Sequence, residues 1–205
     1  MKRKFFAAAA IALAAGLAIA AAGVARAADN RFFSMVPSAG AKACLDKTAF
    51  GRVTVNALGP VETMHVEIWH MPPNTEFDVF LIQVPTAPFG LSWYQGDIVT
   101  SDAGIGVADF VGRFSRETFI IAPGTAAAPA VFNNPPFPDA TSNNPQTRPV
   151  QIYHLGIWFN SPKDAAKAGC ATTVTPFNGT HNAGIQALNT SNFSVLSGPL
   201  RAFSP

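Results

Sequence analysis

The sequence predicts an all-β fold, an antiparallel β-sandwich with one short helix and a long Pro/Asn-rich loop, set behind an N-terminal export leader. Three observations carry this reading. Short runs alternate apolar and polar side chains with a period of two, the mark of a half-buried strand. Gly, Pro, Asn and Asp separate those runs at close intervals. Only one segment has the capped, Ala-rich pattern of a helix.

The leader comes first. Lys2, Arg3 and Lys4 precede an Ala-rich apolar run from Phe5 to Val24, which ends on Ala25-Arg26-Ala27, the small-x-small pattern read by signal peptidase. Residues 1–27 are expected to be a cleaved signal peptide, and residues 28–205 a single secreted or periplasmic domain with no transmembrane segment. The run is close to the ~20 residues a spanning helix needs, but Ala inserts poorly and the cleavage pattern follows at once. No Cys stands directly after the site and no arginine pair precedes it, so lipid attachment and twin-arginine export are not expected.

Cleavage changes the charge. Of 14 basic residues against 12 acidic ones, the leader holds Lys2, Arg3, Lys4 and Arg26, so the formal net charge moves from +2 to −2. The remaining chain is not basic, and a nucleic-acid partner loses its electrostatic support.

Beyond the leader, Asp29 to Phe50 has no sustained period and reads as an irregular entry to the first strand. Strands are then expected at Val53-Thr54-Val55, Met64 to Met71, Phe77 to Val84, Ile98-Val99-Thr100, Val107 to Phe114 and Thr118 to Ile121. Along the second, Met64, Val66, Ile68 and His70 share one face, taken as core, with His65, Glu67 and Trp69 on the other. Pro72-Pro73-Asn74-Thr75 favours a turn, and so a hairpin between the second and third runs. Ser101 to Gly106 suits a tight connection between the fourth and fifth.

Residues 123–149 hold seven prolines and two Asn pairs with almost no β-period, and read as a long irregular loop. Val150 to Phe159 is apolar on both faces, as a central strand is: Tyr153, Leu155, Ile157 and Phe159 on one, Ile152, His154 and Trp158 on the other. Ser161-Pro162 followed by helix formers and Gly169 predicts a short helix directly before Cys170. The tail from Ala171 is rich in Thr, Asn and Gly and is expected to wrap the sandwich.

Two cysteines remain, Cys44 near the start and Cys170 near the end. In an oxidising compartment two lone cysteines most often pair, so a Cys44–Cys170 disulfide is expected, the alternative being two buried thiols.

Three chemistries can be weighed. His65 and Glu67 lie side by side on one strand face, and a divalent metal held by His65, Glu67 and His154 is the one enzymatic arrangement the residues suggest. The third ligand requires the two strands to lie together. The zinc-protease pattern sets its His and Glu on a helix, and the cupin and deaminase patterns lack their partner residues here. A hydrolase lacks its Gly-x-Ser-x-Gly elbow, and Asp97 and Asp102 lack the ligand density of a calcium loop. Trp69, Trp93, Tyr94 and Trp158 offer a stacking surface for a sugar or an apolar ligand, unless they fill the core as large aromatics commonly do.

Gly59-Pro60-Val61-Glu62, the run His65 to Asn74, Gly96 to Thr100 and His154 to Pro162 together resemble exported bacterial proteins of uncharacterised function. The resemblance covers most of the chain beyond the leader and implies a secreted β-rich domain. It transfers no catalytic residue. The reading is therefore an exported, non-enzymatic binding or envelope-associated module that needs no cofactor and meets a small molecule, a glycan or an envelope component. The alternative is a metal-dependent enzyme built on the His/Glu cluster.

Overall fold

Alternation becomes strand almost wherever it is sustained. The computed structural model describes residues 31–114, 118–119, 150–176, 182–195 and 197–203, so the expected leader (1–27) and the expected loop (123–149) lie outside the described residues. The strands are β1 (Arg31–Pro37), β2 (Phe50–Leu58), β3 (Val61–Trp69), β4 (Glu76–Ile82), β5 (Ser92–Val99), β6 (Gly106–Gly112), β7 (Thr118–Phe119), β8 (Val150–Gln151) and β9 (His154–Phe159). They are followed by helix α1 (Pro162–Lys167), β10 (Thr175–Pro176), β11 (Asn182–Ala183), β12 (Gln186–Asn189) and a 3-10 turn at Pro199–Phe203.

Eight strands form one antiparallel sheet in the order β5-β4-β9-β12-β1-β2-β3-β6, while β7–β8 and β10–β11 pair separately. The sheet is barrel-like rather than a sandwich of two layers. The joint is β1, whose residues 31–35 pair with β2 and whose Val36 and Pro37 pair with β12. At the other side the two end strands meet: Thr100, just after β5, bridges Gly106 at the start of β6. A ring carbon of Phe110 lies 3.0 Å from where a Cβ on Gly96 would stand. Gly96 has φ +147, so this contact needs glycine twice over, for the backbone and for the space.

The interior is filled from both halves of the sheet. Met35, Val53, Met64, Val66 and Ile68 meet Phe77, Leu81, Leu155, Ile157 and Phe159, all fully buried. At roughly 1.5–3 kcal/mol for each large side chain removed from water, this core dominates the stability of the fold. β9, between β4 and β12, is buried on both faces as its sequence predicts.

α1 forms as its signals require. Ser161 caps it by accepting from the Asp164 backbone N–H, Pro162 opens it, and Gly169 follows it at φ +73. The helix delivers Cys170 to Cys44, and the two are joined with Cα atoms 5.1 Å apart across 126 residues.

Three expectations are corrected. The segment before Phe50 contains β1: Phe33 and Met35 point inward, while the outward apolar residues Phe32 and Val36 obscure the alternation. Part of the tail is not a wrapping at all: β12 inserts between β9 and β1 as a strand of the sheet. The Pro72-Pro73 link makes no hairpin either. It carries the chain from β3 past the β5–β6 seam to β4, docked on the 100–106 turn by Met71 N–H to Gly104 O (3.1 Å), Asn74 N–H to Ser101 O (3.1 Å) and Thr100 Oγ1 to Pro72 O (2.6 Å).

Candidate functional site

Two patches on the outer surface of the sheet gather polar and aromatic groups. The first lies on β5, β4 and β9. In-register pairing sets Asp78 of β4 between Asp97 of β5 and Trp158 of β9, and Phe80 between Tyr94 and Gly156. Strict alternation would not put Tyr94 and Asp97 on one face. A bulge opposite Val79 and Phe80 does so, and the Tyr94 hydroxyl donates to Asp97 Oδ1 at 2.5 Å.

Asp78 is the unusual group here, a carboxyl only 1% exposed in the middle of a strand. Burial, reinforced by the charge of Asp97 and a hydrogen bond with it, and then by Glu76 and Asp164, raises its pKa to about 7. Burial and Asp97 likewise push the Tyr94 phenol well above its ordinary value. Glu76 accepts from Asn160 Nδ2 at 3.1 Å on the same outer face.

The four aromatic candidates separate. Trp158 is only 2% exposed, gripped by Phe80 and Phe89 with ring centroids 5.4 and 5.0 Å away, both nearly edge-on. The loop between β4 and β5 covers it, tied down by Gln186 Nε2 donating to Pro85 O at 3.2 Å. Phe89 takes φ +58 to reach Trp158, a conformation that side chains bearing a Cβ rarely adopt. Trp158 therefore belongs to a small outer core with Phe80, Ile82 and Ala183. Trp69 is half-buried and stacks on Phe50 at 4.8 Å. Trp93 and Tyr94 remain 49% and 48% exposed on end strand β5. As neighbours on a strand they point to opposite sides, so they flank the edge rather than form one platform.

The second patch lies on β2, β3 and β6. Thr54, His65 and Asp109 stand in one row across the three strands. His65 Nδ1 is 2.6 Å from Asp109 Oδ1, and its Nε2 is 3.9 Å from Glu67 Oε1. Arg52, opposite Glu67 in register, instead sets its guanidinium 4.7 Å over the Phe32 ring, toward β1.

His154 does not join them. Three strands, β12, β1 and β2, separate β9 from β3, and both ring nitrogens of His154 are engaged, with Thr190 Oγ1 at 2.8 Å and Val195 O at 3.0 Å. Burial lowers its pKa, so it stands as a neutral tether for the segment that follows β12. The expected trio His65, Glu67 and His154 is thus not brought together, and among the described residues no three His, Cys, Asp or Glu side chains form a ligand set.

Asp78 was legible as an anomaly, an acid between Phe77 and Val79 in an apolar run. Asp109 carried no such signal, because only the β3–β6 register places it against His65. No known protein family, curated protein or solved structure matches this chain.

Proposed function

We propose that this chain is an exported, non-enzymatic binding module whose contact surface is the β5 edge, and that its ligand is a hydroxyl-rich ring such as a glycan of the envelope. The observation that carries the reading is Trp93 and Tyr94, two large rings half-exposed on opposite sides of one end strand, so that a chain of sugar rings lying across the edge meets both. Rings of this kind offer apolar faces to the C–H side of a sugar. Beside Tyr94, Asp97 supplies a carboxylate that accepts hydrogen bonds from sugar hydroxyls, bonds stronger than neutral ones. The bulge that sets Tyr94 and Asp97 on one face gives this pairing a fixed geometry.

Export is supported by the Cys44–Cys170 bridge, since such bonds persist in oxidising compartments. Among the described residues no helix is long and apolar enough to cross a membrane.

The test is a glycan array followed by titration of the hits, read by tryptophan fluorescence. Saturable binding that falls at least tenfold in both Trp93→Ala and Tyr94→Ala is the expected result. Binding that ignores both substitutions, or an array without hits, would remove the proposal.

A further inference from the structure

We propose that His65 and Glu67 form an exterior site for a divalent transition-metal ion, Cu2+ in preference to Zn2+, with Asp109 as the carboxylate that sets the imidazole. The site is independent of the β5 edge and of the binding role proposed for it.

The argument starts from the strand. Residues two apart on β3 share a face, which brings the outward side chains of His65 and Glu67 to an Nε2–Oε1 separation of 3.9 Å. An ion bound to both at the usual bond lengths separates two such ligand atoms by about 3.4 Å in the tetrahedral geometry of Zn2+ and by about 2.8 Å at the right angle of tetragonal Cu2+. Closing the difference takes a small rotation of Glu67, whose side chain is partly exposed and free to make it.

Asp109 makes His65 more than a surface histidine. Its Oδ1 lies 2.6 Å from Nδ1, so the ring donates its Nδ1 proton there and turns the Nε2 lone pair toward Glu67. Metal-bound histidines almost always donate the second ring N–H to a carboxylate, a backbone carbonyl or a water, and a carboxylate there fixes the tautomer and makes the other nitrogen a better ligand. The neighbouring cation does not compete: Arg52 leans over Phe32 on the β1 side. Two protein ligands leave the remaining positions to water, so the site is open and of modest affinity. An imidazole–carboxylate pair suits Cu2+ and Zn2+ above Mg2+ or Ca2+, and Cu2+ stands highest in the order of divalent affinities.

The test uses tag-free protein, because a histidine tag would bind first. Sub-stoichiometric Cu2+ is added to the unmodified protein, and the side-chain resonances are followed by NMR. Selective broadening at His65 and Glu67 ahead of His70 is expected. Calorimetry then gives the affinity for Zn2+ and Cu2+, with far-UV circular dichroism checking that each variant keeps its strands. His65→Ala should abolish binding, Glu67→Gln should weaken it at least tenfold, and Asp109→Asn should weaken it by about tenfold through the ring alone. Broadening centred elsewhere, or binding that survives His65→Ala, overturns the site, as does no binding at millimolar metal.

Discussion

Replacing Asp78 by Asn should stabilise this protein in alkaline solution and leave it little changed in acid. The folded state holds the Asp78 carboxyl at about 7, chiefly by burial and then by Asp97, against an ordinary 3.8. Between those values the folded chain keeps a proton that the unfolded chain has released. The contribution of Asp78 to stability is therefore most favourable below about pH 4, declines as pH rises, and levels off above about 7. At about 1.36 kcal/mol per pKa unit, the ionised group costs the folded state up to roughly 4 kcal/mol. Asn has the same shape, cannot ionise, and can donate its amide to the Asp97 carboxylate. His154 works in the opposite direction, because burial lowers its pKa and stability is lost as pH falls through its ordinary range. Comparing variant with wild type at each pH cancels that background. Urea unfolding at pH 5 and pH 8.5, followed by tryptophan fluorescence, to which the buried Trp158 contributes, measures the difference. The Asn variant should gain on the order of 2–4 kcal/mol over wild type between the two pH values. A wild type that gains stability from Asp78 on going to pH 8.5, or a variant with an unchanged pH slope, would refute the reasoning.

Two further perturbations test the packing. Cys44→Ala with Cys170→Ala opens a 126-residue loop and should lower the free energy of unfolding by about 4–5 kcal/mol on the chain-entropy account, read by urea titration; a loss below about 1 kcal/mol would deny the bridge its role in holding the ends. Gly156→Ala sets a methyl 2.3 Å from the Trp158 ring on a buried strand, so thermal unfolding should show a loss of at least about 1–3 kcal/mol together with a changed Trp158 emission.

Much of the fold was legible because β2 and β3 alternate, β4 and β9 are short continuous apolar runs of the kind a strand buried on both faces shows, and α1 carries both its end signals. What escaped was everything that depends on which strands pair. Pro72-Pro73 does turn the chain, but sequence cannot say whether a turn returns to its neighbour or crosses a seam; the docking of residues 71–75 on the 100–106 turn decides that. The same limit governs the sites. His65 and Glu67 come together because one strand fixes both, whereas His154 needed a strand adjacency that β12, β1 and β2 prevent. Trp158 and Tyr94 look alike as aromatics in β-prone runs. One is covered by a loop that Gln186 ties down from far along the chain; the other lies on an end strand.

The account rests on one curled sheet whose end strands meet, presenting the β5 edge at the seam. The most direct measurement is the NMR cross-relaxation between the Gly96 Hα protons and the Phe110 ring, which belong to the two ends of the strand order. A strong Gly96–Phe110 cross-peak, with a second between Thr100 and Gly106, is the predicted result. Loss of both, with β5 and β6 behaving as separate open edges, would contradict it.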